Sequence, residues 1–170
     1  MITTVRVRCP VCGEVERPGE KLPVLARTSM RLSALVRGLS DERLSARPLL
    51  GEWSVREIVC HLADTEVIRS YRVMKILAED QPGIEAYDEV VWAKALALDL
   101  RDPGTLLRSF RRLREAFLDL LARAPVGAME RAGFHAEYGP ITVAQLTGHT
   151  VDHDLLHLAQ IKQTLAEAAR

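Results

Sequence analysis

Residues 149 to 157 read HTVDHDLLH, which sets His149, His153 and His157 four apart in a chain with five histidines in all. On an α-helix, residues four apart lie one above another on the same face. His153 and His157 then present two imidazoles to one ion, as the pair of a helical H-x-x-x-H motif does. The same stripe carries Leu146, Thr150, Ile161 and Thr164, so it is expected to face a protein interior. Each neutral imidazole brings a donor and an acceptor, and burying such groups without partners is costly. A metal ion is the partner that inward-facing imidazoles call for.

Two residues on one helix rarely complete a metal site, so a third ligand is sought elsewhere. His61 lies beside Ile58, Leu62 and Thr65, where burial is expected and no surface role suggests itself. The economical set is therefore His61, His153 and His157. His135 falls in the polar stretch AGFHAEYGP, read as a loop, where it is either exposed or turned into a site. His149 stands one turn further back, and an angular drift of ~40° per four residues limits how well it joins the others. It is a candidate catalytic residue, because a neutral imidazole takes up a proton near pH 7. It could also support a ligand, touch substrate or bond to backbone in a core. Asp64 and Asp154 either orient imidazole N–H groups or lie on solvated helix surface, and Asp152 is read as surface. Three neutral nitrogens leave a divalent ion an open position for water or a thiol. Zn, Ni, Fe and Mn all suit that donor set.

These residues need rigid elements to hold them. Four long helical patterns are present, from about Leu22 to Arg37, Ser54 to Glu79, Asp102 to Ala124, and Thr142 to Leu165. Ser54-Val-Arg-Glu57 and Thr142-Val-Ala-Gln145 are capping boxes, with Trp53/Ile58 and Ile141/Leu146 as the flanking hydrophobic staples. Asp102-Pro103 is a cap followed by proline in the first helical position. Four amphipathic helices predict an all-α fold, a four-helix bundle. The connection from Asp80 to Asp102 is too long for a tight turn; it is expected to cross the bundle or cover a site, with a short helix from Val90 to Leu98 and Trp92 as its packing anchor.

Residues 1–20 form a strand-like extension before a bundle domain of residues 21–170. Cys9-Pro-Val-Cys12-Gly resembles the turn of a zinc knuckle, yet no second C-x-x-C follows. It is either half of a zinc ribbon completed by another chain or a plain hairpin. Lys plus Arg and Asp plus Glu both total 23, so the net charge is zero, which argues against general nucleic-acid binding. No stretch has the ~20 consecutive apolar residues of a membrane span, and a cytoplasmic location is expected.

GEWSVREIVCHLADTE, followed about ninety residues later by GPITVAQLTGHTVDHDLLHLAQI, resembles the DinB-like metal-binding four-helix-bundle superfamily. The resemblance covers about residue 21 to 170 and implies His61, His153 and His157 as ligands, the same three that burial selects. Family members include metal-dependent transferases that act on low-molecular-weight thiols and isomerases that use them. The resemblance thus implies a small-molecule substrate and a small-thiol S-transferase-like activity, with a hydrolase left open because no residue selects a thiol over water, and the alternative being a metal-binding bundle without turnover; it also implies a homodimer. His61 and His153 are expected on helices whose N-termini open toward one bundle end. There Ala132 to Pro140 and the segment around Trp92 would cover a substrate, with His149 nearer the mouth.

Overall fold

Three of the four long helices begin at a side-chain cap. In this computed structural model, which describes residues 7–8, 15–16, 18–49 and 51–168 and side chains over 21–49 and 51–168, both expected capping boxes are formed. Ser54 Oγ accepts from Glu57 N at 3.3 Å while the Glu57 carboxylate accepts from Ser54 N at 2.8 Å. Thr142 and Gln145 repeat the exchange at 3.1 and 2.8 Å. Asp102 caps the next helix through Gly104 N and Thr105 N.

In chain order the elements are β1 (Val7–Arg8), β2 (Val15–Glu16), α1 (Pro18–Val36), α2 (Asp41–Ser45), α3 (Val55–Ala78), β3 (Gly83–Ile84), α4 (Glu89–Ala95), α5 (Pro103–Arg123), β4 (Ala132–His135), β5 (Gly139–Thr142) and α6 (Val143–Glu167). The long helices α1, α3, α5 and α6 form a four-helix bundle in which α3 packs on α5 and α6, and α1 packs on the same two. The strand-like start is present as the antiparallel pair β1–β2. Cys9 and Cys12 lie outside the described residues.

The apolar side chains form two clusters, and their membership gives the helix directions. Leu25, Val73, Phe117 and Val151 belong to one cluster; Leu32, Leu62, Phe110 and Leu158 belong to the other. Along the chain α1 and α6 run from the first cluster to the second, whereas α3 and α5 run from the second to the first. The sequence of directions is up, down, down, up. Because α3 and α5 are parallel neighbours, residues 79–102 must return the length of the bundle. That return is the physical reason for the long connection, and it supplies α4 and a 3₁₀ turn at Leu98–Leu100 against α3.

The same directions correct an expectation about the site. The N-termini of α3 and α6 stand at opposite ends of the bundle, so His61 and His153 meet in its middle and their cleft opens at the side. Trp92 is not the packing anchor of the connection: it is 43% exposed, and Ile84 and Leu98, each 2% exposed, are the apolar residues that dock. Ala132 to Pro140 is not a plain loop either. It forms the antiparallel pair β4–β5, and β3 from the long connection adds to β4 in parallel. Gly133 permits this, because a Cβ there would stand 2.8 Å from the Pro82 carbonyl oxygen. The hairpin runs straight into the Thr142 cap, so it fixes where α6 begins.

Between the two apolar clusters lies a buried polar layer with one member on each long helix. Arg114 of α5 donates from Nε and Nη2 to Glu66 of α3 at 2.7 Å each. Its Nη1 donates to Asp154 of α6 at 2.7 Å and to Thr28 Oγ1 of α1 at 2.6 Å. Thr28 in turn donates to Asp154 at 2.8 Å. The polar atoms thus supply each other's partners, as burial requires.

Candidate metal centre

One helical turn separates His153 from His157 on α6, and α3 brings His61 against them. His153 Nε2 lies 3.1 Å from His61 Nε2 and 3.1 Å from His157 Nε2. The ligand atoms of the three residues all lie within 4.8 Å of one another. His61 is 4% and His157 8% exposed. The structure therefore brings together the three residues expected to bind a metal.

Hydrogen bonding among the imidazoles does not account for this arrangement. His157 Nδ1 donates to Gln160 Oε1 at 2.8 Å, which leaves a bare lone pair on His157 Nε2. His153 Nε2 carries at most one proton and faces two neighbouring nitrogens, while its Nδ1 is buried without a partner among the described residues. Burial also keeps the rings neutral. It is the largest cause of the lowered pKa of His61, to about 3, with further lowering from His157 and Arg69. His153 is held well below its ordinary value, first by burial and then by Arg69; His157 is lowered by burial against an opposing contribution from Gln160. Converging lone pairs of neutral imidazoles are the donor set of a divalent ion. Two of the nitrogen pairs stand 3.1 Å apart and the third lies within 4.8 Å, a cluster tight enough for the three rings to turn onto one ion. The residues fit the metal.

Trp53, expected only as half of a staple, walls the cluster on one side. Its ring centroid lies 4.8 Å from that of His61 and 6.2 Å from that of His157. On the other side the cluster reaches a cleft of about 310 Å³, whose lining includes His153, His149, His135, Arg69, Tyr87 and Glu89. His135 is 3% exposed and stacks on Tyr138, which decides its position in favour of the site. His149 does not join the cluster. Its ring centroid is 6.4 Å from that of His153, its Nδ1 is buried without a partner among the described residues, and burial, followed by Arg69, lowers its pKa to about 4.

The aspartates do not orient the imidazoles as considered from sequence. Asp64 is held by Arg101. Asp154 belongs to the Arg114 layer, and Asp152 bonds Lys21. The orienting group is Gln160, whose place three residues after His157 is legible once the helix is known. Glu89 is a further residue that sequence reasoning missed. Its carboxylate lies 4.0 Å from His61 Nε2 and is brought there by α4. Cys60, next to His61, is buried and its thiol is pushed up to about 11, mainly by desolvation, so it is no thiolate nucleophile at neutral pH.

Fold and centre together define a helical bundle that gathers three histidines from two helices, one of which, His153, lines a cleft. The sequence profile of the DinB superfamily matches residues 25–161, and the chain belongs to that superfamily. A "putative metal-dependent hydrolase" of Oceanobacillus iheyensis is 27% identical over 162 residues, 95% of this chain and 92% of that one. YfiT of Bacillus subtilis, similarly named, is 28% identical over 149 residues, 87% of this chain and 84% of that one. Its solved structure, described as "a probable metal-dependent hydrolase with an unusual four-helix bundle topology", aligns with a TM-score of 0.81 over 87% of this chain and 85% of that one, at 27% identity. A mycothiol-dependent maleylpyruvate isomerase shares the fold at 11% identity, with a TM-score of 0.68 over 85% of this chain and 60% of that one.

Proposed function

We propose that this protein is a metal-dependent enzyme acting on a small molecule in the side cleft, its most specific form being transfer of a small thiol to an electrophile. The observation that carries the reading is the convergence of three neutral Nε2 atoms, one of them that of His153, which lines an open cleft. His61, His153 and His157 hold the ion through those atoms, and Gln160 fixes the His157 ring. When bound, a divalent ion with neutral ligands supplies an undiminished double charge that lowers the pKa of water or a thiol toward neutrality.

The chain's own residues do the rest. Trp53 keeps water from one side of the cluster. The cleft receives the reactants beside His153, and its volume of about 310 Å³ has room for a small nucleophile and a small electrophile together. His149, neutral across the physiological range, takes up a proton at its unpartnered Nδ1. The carboxylate of Glu89, close to His61, is a second acceptor on the same wall. We further read the protein as a cytoplasmic homodimer. Supporting that reading, Val67, Tyr71 and Met74 leave an exposed apolar stripe on α3, and none of the described helices is long and apolar enough to cross a membrane.

The names of the relatives favour a second reading, hydrolysis, in which water takes the place of the thiol. Both are tested by assaying zinc- or nickel-loaded protein with cellular thiols plus a generic electrophile, and with simple esters and amides, beside the His153→Ala variant. Thiol-dependent turnover lost in the variant is the expected result. Turnover of esters or amides without thiol replaces it with the second reading. Background rates with every substrate leave a metal-binding bundle without turnover.

A further inference from the structure

Three arginines are buried among the described residues, Arg56, Arg69 and Arg114, and Arg69 is the least satisfied of them: Arg56 is held by Ser45, the Arg101 carbonyl and Asp41. Arg114 is saturated by Glu66, Asp154, Thr28 and the Leu25 carbonyl. Arg69 of α3 is 7% exposed, and the one hydrogen bond it makes among the described residues runs from Nη1 to the Thr150 carbonyl at 3.4 Å. A guanidinium stays protonated and offers five donors, so burying one with a single long hydrogen bond is costly. The carboxylates nearest to hand, Glu66 and Asp154, are already engaged by Arg114.

Arg69 lines the cleft, and so does His149, whose Nδ1 is buried and without a partner among the described residues. The acids of the cleft are placed differently. Glu89 is 59% exposed at its side chain and Glu137 is also exposed, while the second arginine of the lining, Arg72, is half-buried and engaged by the Glu85 carbonyl and the Tyr87 ring, which leaves Arg69 as the deep cation. Ile68, Ile141, Leu146, Tyr87 and Tyr138 supply the apolar and aromatic surface between them. A planar guanidinium fork matches a carboxylate with two parallel hydrogen bonds. With two carboxylates already on the rim, a singly charged group is admitted more readily than a doubly charged phosphate.

We propose that the cleft is built for a small organic acid whose carboxylate seats on Arg69, placing the rest of the molecule beside His153 and the three-histidine cluster. This names a substrate class for the enzyme reading above and rests on that reading for its consequence, while the binding itself is independent of it.

The test titrates benzoate and its neutral isostere benzamide into metal-free and zinc-loaded protein by calorimetry, with wild type, Arg69→Met and Arg69→Lys. Wild type is expected to bind benzoate at least about tenfold more tightly than benzamide even without metal, in line with charge-assisted pairing. Arg69→Met is expected to lose that preference while its circular dichroism stays unchanged and zinc still binds, and Arg69→Lys to keep part of it. Equal affinity for the two probes in wild type, or an undiminished preference in Arg69→Met, overturns the proposal. If Arg69→Met does not fold, wild type and Arg69→Lys decide, because a full preference retained by a point charge contradicts the two-bond seat. Zinc binding without benzoate preference removes only this proposal; benzoate preference without zinc binding removes only the metal reading.

Discussion

Gln160 Oε1 sits 2.8 Å from His157 Nδ1, and this bond presets the tautomer that turns His157 Nε2 toward the other two rings. Removing such a support typically costs 10–100-fold in metal affinity. Gln160→Ala is therefore expected to weaken zinc binding by about that factor in a competition titration, whereas His61→Ala, His153→Ala and His157→Ala abolish tight binding and His149→Ala weakens it less. The neutral rings also set an acid limit. The pKa of His61 is lowered to about 3 and that of His149 to about 4, from an ordinary 6.5. The unfolded chain takes up protons near pH 6.5 and the folded chain does not, so this contribution is intact above 6.5 and lost as pH falls from there toward about 4 for His149 and about 3 for His61. Metal-free protein should lose more than about 2 kcal/mol of unfolding free energy between pH 7.5 and 5 in denaturant titrations, since each pKa unit is worth about 1.4 kcal/mol per group. At this scale the three clustered histidines were legible from spacing and burial. Glu89 was not, because only the path of the connection puts it beside His61.

The elements are held in register by the Arg114 layer, which ties α1, α3, α5 and α6 together at one level. Asp154→Ala removes one carboxylate from a guanidinium that is 1% exposed. Breaking a buried pair in this way costs about 3–5 kcal/mol. The expected outcome is that loss in chemical denaturation, with zinc affinity nearly unchanged because Asp154 touches no imidazole of the cluster; a loss of zinc affinity equal to that of His153→Ala would mean the residue serves the metal instead. The helices and both capping boxes were readable from the sequence, since caps are local chemistry. The polar layer was not, for Glu66, Arg114 and Asp154 look like ordinary surface charges until the helices face each other. The β4–β5 hairpin was missed for a similar reason: β3, a strand of two residues, becomes visible only when the connection brings it to β4.

At the scale of the molecule, parallel α3 and α5 force the chain to return along the bundle, and that return builds one wall of the cleft. The bundle was legible in the sequence, but the order of directions was not, because amphipathic periodicity shows which face of a helix is buried without showing which way the helix points. The exposed stripe of Val67, Tyr71 and Met74 on α3 predicts a dimer by light scattering at micromolar concentration, and Tyr71→Glu is expected to shift it toward monomer; a monomeric wild type removes the homodimer. The central claim is that His61, His153 and His157 together hold one divalent ion. It is tested most directly by elemental analysis of protein purified without an affinity tag or added metal, alongside His153→Ala. The expected result is about one first-row transition metal per chain in wild type, in keeping with a single three-nitrogen centre, and none in the variant. Metal-free wild type that also fails to take up zinc or nickel, or equal metal content in the two proteins, would contradict the account.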